Sequence, residues 1–295
     1  MKRPYLTAGR VGLTTEMKRP YLITGGIVLI VGLSGLMWWL VTSSLQTSSL
    51  QTSALQTSEP FPLDMADDAV DDMYEGCREK MEEKVNNTYF KKELVGKFKD
   101  TWEKAETCSN KNHSGDEGLT KNHRQAICVY TAEIPNIYKE FNEAVRTGKK
   151  NYTSSFKFKF HYFHFWLTDA IQILNEKEKE QCQTSYRRTK VGFSGTLHEY
   201  IRFGTFASSS KRTDLAHFGN ETCFEIETCL GAYLKDYSRL NSWEQEVLIP
   251  PYEKFKITNI TEGRGKYEPM PECEKVFILK SEGIVSNLNC KAAKK

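Results

Sequence analysis

An α+β fold is predicted by two features of the 295-residue sequence. From Asp64 to about Lys179 the pattern is mainly helical, and after the charged loop Asn175–Glu180 it changes to short β-like runs separated by turns. Helices first and strands afterwards argue for segregated layers and against an alternating, doubly wound sheet. The sequence contains no Gly-x-Gly-x-x-Gly and no Walker loop, so a Rossmann or P-loop nucleotide site is not supported.

In chain order, residues 1–22 form a basic N-terminus, in which Met1-Lys-Arg-Pro-Tyr-Leu6 recurs at Met17–Leu22. Ile23 to Thr42 carry no charge, and about twenty such residues suffice to cross a bilayer as a helix. The Gly-rich tract ends near Trp38-Trp39 and follows Lys18-Arg19, so a signal-anchor with its basic end cytoplasmic is expected. A cleaved signal peptide is the rival reading. Residues 43–60 include near copies of Ser/Ala-Leu-Gln-Thr-Ser, too polar to build a core, and read as a stalk open to O-glycosylation. A single domain is expected over 61–295, on the extracellular or lumenal side.

Within it, Cys77–Val95 is charged and amphipathic, Ala126–Ala144 reads as a helix interrupted near Pro135, and Phe156–Leu174 is dense in aromatics and ends as an apolar helix. Strands are expected at Thr184–Val191, Tyr200–Ser208, Glu221–Cys229, Val247–Ile249, Lys254–Ile260 and Lys275–Leu279. His161 and His164 stand three apart but lack an evident third ligand, so they are read as structural and no metal is expected.

Charge excludes one partner class. Five of the 41 Lys and Arg and one of the 38 Asp and Glu precede residue 59, which leaves 36 basic and 37 acidic residues in the domain. So balanced a domain has no electrostatic footprint for nucleic acid. All eight cysteines follow the apolar tract without zinc-site spacing, and five Asn-x-Ser/Thr sequons (Asn86, Asn112, Asn151, Asn220, Asn259) accompany them. Both features fit disulfides and a secretory route.

Three clusters carry candidate chemistry. Arg187 lies on an expected strand, where a guanidinium is either a salt-bridged edge residue or an anion clamp. Phe206-Ala-Ser-Ser-Ser210 is, taken alone, a turn, and without a Gly-x-Ser-x-Gly elbow Ser208 is no nucleophile. Glu244-Gln-Glu246 precedes Val247-Leu-Ile249, which Pro250-Pro251 stop. The run reads as a strand leaving a loop, so Glu244 and Glu246, at i and i+2, are expected to share a face, and such like charges need a cation, a proton or a substrate group to relieve them.

Arg, then Phe-x-Ser-x-Ser, then Glu-x-Glu, in this order, resembles the vertebrate ecto-ADP-ribosyltransferases. Leu63–Cys77, Ala126–Thr131, Phe141–Arg146, His164–Thr168, Glu246–Glu253 and Ser286–Cys290 extend the likeness over nearly the whole domain. The resemblance implies a mixed fold with a cleft between two sheets that holds NAD. It implies that Arg187 grips the pyrophosphate or ribose, that Ser208 supports the nicotinamide ribose, and that Glu246 is catalytic. Glu244 is the acid associated with arginine acceptors, Tyr130 and Ser242 are further candidates for cofactor contact, and Lys235–Trp243 is the acceptor loop. It also implies the disulfides Cys77–Cys290 and Cys182–Cys229 and leaves the pairing of the other four cysteines open. The sequence departs from the family with His161 where Lys is usual and with Arg188 where Gly is common. Lys-Ala-Ala-Lys-Lys295 offers no hydrophobic tail for a lipid anchor.

The implied activity is transfer of ADP-ribose from NAD to arginine side chains of surface or secreted proteins. Breaking the nicotinamide–ribose bond builds positive charge on the ribose, which a fixed carboxylate stabilises. An NAD glycohydrolase using the same residues, and a silent binding protein with the same fold, are the alternatives.

Overall fold

The computed structural model describes residues 59–294, apart from 112, 133–136, 155, 156 and 240. The basic N-terminus, the apolar tract 23–42 and the repeat segment up to residue 58 lie outside the described residues, as do Pro135 and Asn112. No helix among the described residues is long and apolar enough to cross a membrane.

The expected order of halves is present. A helical half holds α1 (Arg78–Lys84), α2 (Phe90–Glu93), α3 (Gly96–Lys104), α4 (Lys121–Tyr130), α5 (Tyr138–Thr147) and α6 (His161–Glu176). A π-helical turn, Val85–Tyr89, joins α1 to α2, so the amphipathic run read from Cys77 to Val95 continues with a local widening. Helix α4 starts at Thr120, whose backbone N–H donates to His123 Nδ1 at 2.9 Å, an imidazole in the capping-box position usually held by Glu or Gln. Helix α6 is apolar nearly all round and buries His161 through Ile171 without a break, the pattern of a core helix. Its aromatic side chains meet Phe141 of α5 and, across the layer boundary, Phe141 stacks on Phe206 with centroids 5.4 Å apart.

His161 and His164 are fully buried. His161 bonds Glu93 Oε1 at 2.7 Å and the Tyr152 carbonyl at 2.6 Å, while His164 Nδ1 bonds the Tyr74 hydroxyl at 2.7 Å. Both nitrogens of His161 are therefore engaged in the core, as expected of a structural residue.

The strand half comprises β1 (Phe61–Pro62), β2 (Gln183–Thr189), β3 (Phe193–Ser194), β4 (Tyr200–Ile201), β5 (Ala207–Ser210), β6 (Thr222–Thr228), β7 (Ala232–Tyr233), β8 (Glu246–Ile249), β9 (Glu253–Glu262) and β10 (Lys275–Ile284). Strands β1 and β3 pair on their own, and the others follow the order β4-β9-β10-β6-β2-β5-β8-β7. Within this array β6 and β10 run parallel and the other pairs antiparallel. The junction of β2 with β5 is a single pair, Tyr186↔Ser210. The two expected sheets are thus a five-stranded and a three-stranded group hinged at one point, with space opening beside the hinge.

One expected strand is two. The sequence presents Tyr200–Ser208 as a single run, but β4 joins the far edge beside β9 while β5 joins β2 and β8. Gly204 turns the chain between them at φ +67°, and a Cβ there would stand 2.3 Å from the Ala66 Cβ. Arg202, fully buried, fixes the bend by donating to Asp71 Oδ2 at 2.7 Å and to the Met65 carbonyl at 2.7 Å.

The opening and closing segments are laced together. Asp71 also accepts from the Leu288 N–H at 2.9 Å, Asp72 accepts from the Cys290 N–H at 2.9 Å, and Cys77 and Cys290 form a disulfide. Cys182–Cys229 is present as well, and the four cysteines left open pair as Cys108–Cys128 and Cys223–Cys273. No cysteine among the described residues is free.

Candidate active site

A cavity of about 320 Å³ lies beside the β2–β5 hinge and takes wall residues from both halves. Arg187, Ser208, Glu244, Glu246 and Tyr130 all line it. Residues separated by more than a hundred positions meet here because the end of α4 packs over the start of β5. The Tyr130 hydroxyl donates to the Phe206 carbonyl at 2.7 Å and accepts from Asn142 Nδ2 at 3.0 Å. Burial pushes the Tyr130 phenol up to about 12, so it stays neutral and serves as a donor.

Arg187 projects from β2, and its Nη1 donates to the Ser208 carbonyl. Burial draws its pKa below the usual guanidinium range, opposed by the nearby Tyr130, Tyr138 and Glu246. The group remains a cation, with one face tied to β5 and the side chain still half-buried at the cavity wall. Ser208 pairs with Leu248 in the β5–β8 ladder, two steps along from the Ser210↔Glu246 pair.

Glu246 opens β8 and is 6 % exposed. Its Oε2 accepts from Ser238 Oγ at 3.1 Å, and its backbone carbonyl accepts from the Leu234 N–H at 2.8 Å. Its carboxyl is raised to about 7, first by burial and further by Glu244; Ser208, Ser238 and Arg187 oppose the shift. Glu246 is therefore buried and not a solvated strand end, and a buried acid raised towards neutrality in a cleft makes a candidate functional site.

The expectation that Glu244 and Glu246 share a strand face is corrected. Glu244 ends a 3₁₀ turn, Asn241–Glu244, and β8 begins only at Glu246. Gln245 between them adopts φ +47°, a left-handed conformation that a non-glycine residue takes at a cost. The turn, held by a bond from Ser210 Oγ to the Glu244 carbonyl, brings both acids to one cavity without strand periodicity.

Ser242 is exposed on that turn, accepts from the Gln245 N–H at 3.2 Å through its carbonyl, and is not among the residues lining the cavity. The segment Lys235–Trp243 is braced from the helical half: buried Asp116 accepts from Lys235 Nζ at 2.7 Å and from the Tyr237 hydroxyl at 3.0 Å. Arg239 N–H donates to Thr131 Oγ1 at 2.8 Å. Sequence reasoning did not single out Ser238, Asn142, Arg212, Leu215 or Phe218, all of which touch Glu246, Tyr130 or the cavity. Among the described residues no group of three or more His, Cys, Asp or Glu side chains gathers to hold a metal.

An α+β fold whose hinged sheets bring a strand arginine, a strand serine and a buried glutamate to one cleft defines the class: an ADP-ribosyltransferase fold. Residues 63–269 match the family model described as NAD:arginine ADP-ribosyltransferase, and the chain belongs to that family. It is 38 % identical over 242 residues to T-cell ecto-ADP-ribosyltransferase 2 of Mus musculus, covering 78 % of this chain and 77 % of the relative. Against erythroblast NAD(P)(+)–arginine ADP-ribosyltransferase of Gallus gallus it is 35 % identical over 244 residues, covering 79 % and 76 %. The crystal structure of the eucaryotic mono-ADP-ribosyltransferase ART2.2 superposes with a TM-score of 0.64 at 34 % identity, covering 78 % of this chain and 99 % of that one. A variant of ART2.2 has been solved in complex with NAD.

Proposed function

We propose that this protein transfers the ADP-ribose of NAD to arginine side chains of extracellular proteins and releases nicotinamide. The observation that carries this is Glu246: a buried carboxylate in a cavity shared with Arg187, Ser208 and a second acid. Arg187 supplies the fixed positive charge for the pyrophosphate or the adjoining ribose, and Ser208 supports the nicotinamide ribose. The bond from the ribose C1′ to the nicotinamide nitrogen breaks, and its electron pair leaves with nicotinamide, which departs neutral. Positive charge left on the ribose is stabilised by ionised Glu246, an attraction greater in the transition state than in the bound substrate. The acceptor guanidinium is protonated at neutral pH, so Glu244 orients it and takes the proton as its nitrogen attacks C1′.

Incubating the purified protein with radiolabelled NAD, with and without agmatine, tests this. Label passing to agmatine supports arginine transfer. Free ADP-ribose in the same amount with or without agmatine overturns it in favour of hydrolysis.

Residues 23–42 serve, in this reading, as the membrane anchor, with the domain outside. Four disulfides and the accessible sequon residues Asn86, Asn151, Asn220 and Asn259 support the extracellular side. Retention in the membrane pellet after carbonate washing, lost on deletion of 23–42, is the expected result.

A further inference from the structure

Beside Arg187 on β2 stands Arg188, 8 % exposed and used quite differently. Its Nε donates to the Thr213 carbonyl at 3.0 Å, and Nη2 bonds both that carbonyl and, at 3.0 Å, Glu272 Oε1. Nη1 lies 3.4 Å from Cys273 Sγ. Cys273 is itself bonded to Cys223, which pairs with Arg188 across the β2–β6 ladder. One guanidinium therefore ties the 211–219 segment, at Thr213, to a covalently fixed corner of the sheet.

That segment joins β5 to β6 and supplies Arg212, Leu215 and Phe218 to the cavity wall. Its ends are fixed without Arg188. Lys211 N–H donates to the Gln245 carbonyl at 3.0 Å. At the other end Gly219, at φ +130°, passes so close to Thr189 that a Cβ would stand 2.3 Å from its carbonyl carbon. Between these ends Arg212 Nη1 donates to the Trp243 carbonyl at 3.0 Å, and its guanidinium lies 4.8 Å from the Trp243 ring centroid. The position of Thr213 is thus passed to the residue preceding Glu244. Arg188 also edges the cavity, but its donors turn to Thr213 and Glu272.

We propose that Arg188 is a positioning residue for the co-substrate: it brackets Thr213 to Glu272 and Cys273, presents Arg212, Leu215 and Phe218 to the cavity, and thereby sets affinity for NAD without setting the rate of bond cleavage. The inference rests on the reading of the cavity as an NAD site. Arg187 and Glu246 are held by β2, β5 and β8 independently of this bracket, so loosening the segment leaves the reacting groups in place while the wall they face becomes mobile.

The test uses the full chain with Arg188→Gly, Arg188→Lys and Glu272→Ala, the last at a side chain 38 % exposed that spares the core. NAD cleavage is measured across substrate concentration, and amide hydrogen exchange is followed over 211–219. For Arg188→Gly, KM for NAD is expected to rise about tenfold with kcat within about twofold, which is loss of binding shared by ground and transition states. Arg188→Lys recovers about a third of that, because an ammonium reaches one carbonyl but cannot also bridge the carboxylate. Glu272→Ala shifts KM in the same direction by a smaller factor, and exchange over 211–219 quickens in Arg188→Gly while β2 and β6 stay protected. An unchanged KM, or a fall in kcat in parallel with lost thermal stability, overturns the proposal. If the wild type cleaves no NAD, the reading of the cavity falls by itself. The bracket is then judged by exchange, and unaltered exchange over 211–219 in Arg188→Gly overturns it.

Discussion

Burial makes the fold resist ionisation of Glu246. A free glutamate ionises near 4.5, whereas this carboxyl is raised to about 7. Between those pH values the native state binds more protons than the unfolded chain, so stability falls as pH rises through the window. The full cost above pH 7 is about 3 kcal/mol, from the size of the shift. Glu246→Gln removes the buried charge and keeps a group able to bond Ser238. Its melting temperature should therefore exceed that of the wild type at pH 8, with the advantage gone by about pH 4. If Glu246 acts as proposed, the same substitution should abolish NAD cleavage, because the developing ribose cation would lose its counter-charge. Wild-type kcat/KM for NAD should climb about tenfold per unit below pH 7 and level off above it, a profile that reports the free enzyme's carboxylate. Glu244→Gln should lose transfer to agmatine but keep some hydrolysis, and equal residual transfer in both variants would remove the division of roles. That Arg187, Ser208 and Glu246 belong together at one cavity was legible, because residue type and order survive without knowledge of contacts. Ser238 was not, since a serine eight residues ahead of an acid carries no periodic signal; its place follows from the turn between Leu234 and Glu246.

At the scale of elements, the turn at Gln245 decides how the two acids meet. A left-handed residue costs a non-glycine side chain roughly 1–2 kcal/mol, which makes φ +47° at this position a local strain beside buried Glu246. Gln245→Gly should keep transferase activity and raise thermal stability slightly. Gln245→Val should lower it and cut agmatine transfer, since a β-branched residue resists the conformation that aims Glu244. Circular dichroism melts with the agmatine assay check both. The sequence suggested a continuous strand through both acids because apolar alternation cannot report a positive φ. The same limitation joined β4 to β5: hydrophobic runs mark strands, but the bend at Gly204 depends on the close approach of Ala66, 138 positions away in the chain. Helices were easier, since the α6 apolar run is long and its burial all round leaves a broad signature.

For the whole molecule, the order of helical and strand halves was readable, and the pairing of cysteines only partly so. Four cysteines allow three connectivities, and spacing gave no choice among them; Cys223 and Cys273 are joined because the parallel pairing of β6 with β10 brings the segment before β10 alongside. Closing a loop of 213 residues, Cys77–Cys290 should stabilise the fold by about 5 kcal/mol on the chain-entropy account. Replacing both cysteines by serine should lower the denaturant midpoint accordingly, with the Asp71 and Asp72 bonds left to hold the two segments.

The same bridge governs what proteolysis does to this protein. A cut in any surface loop between residues 77 and 290 yields two polypeptides that remain one molecule until reduced, because each piece keeps a sulfur of the pair. Were the domain tethered through residues ahead of Cys77, as proposed, its release would require a cut ahead of Cys77, and a shed form should migrate as a single species on a non-reducing gel whether or not its loops have been nicked.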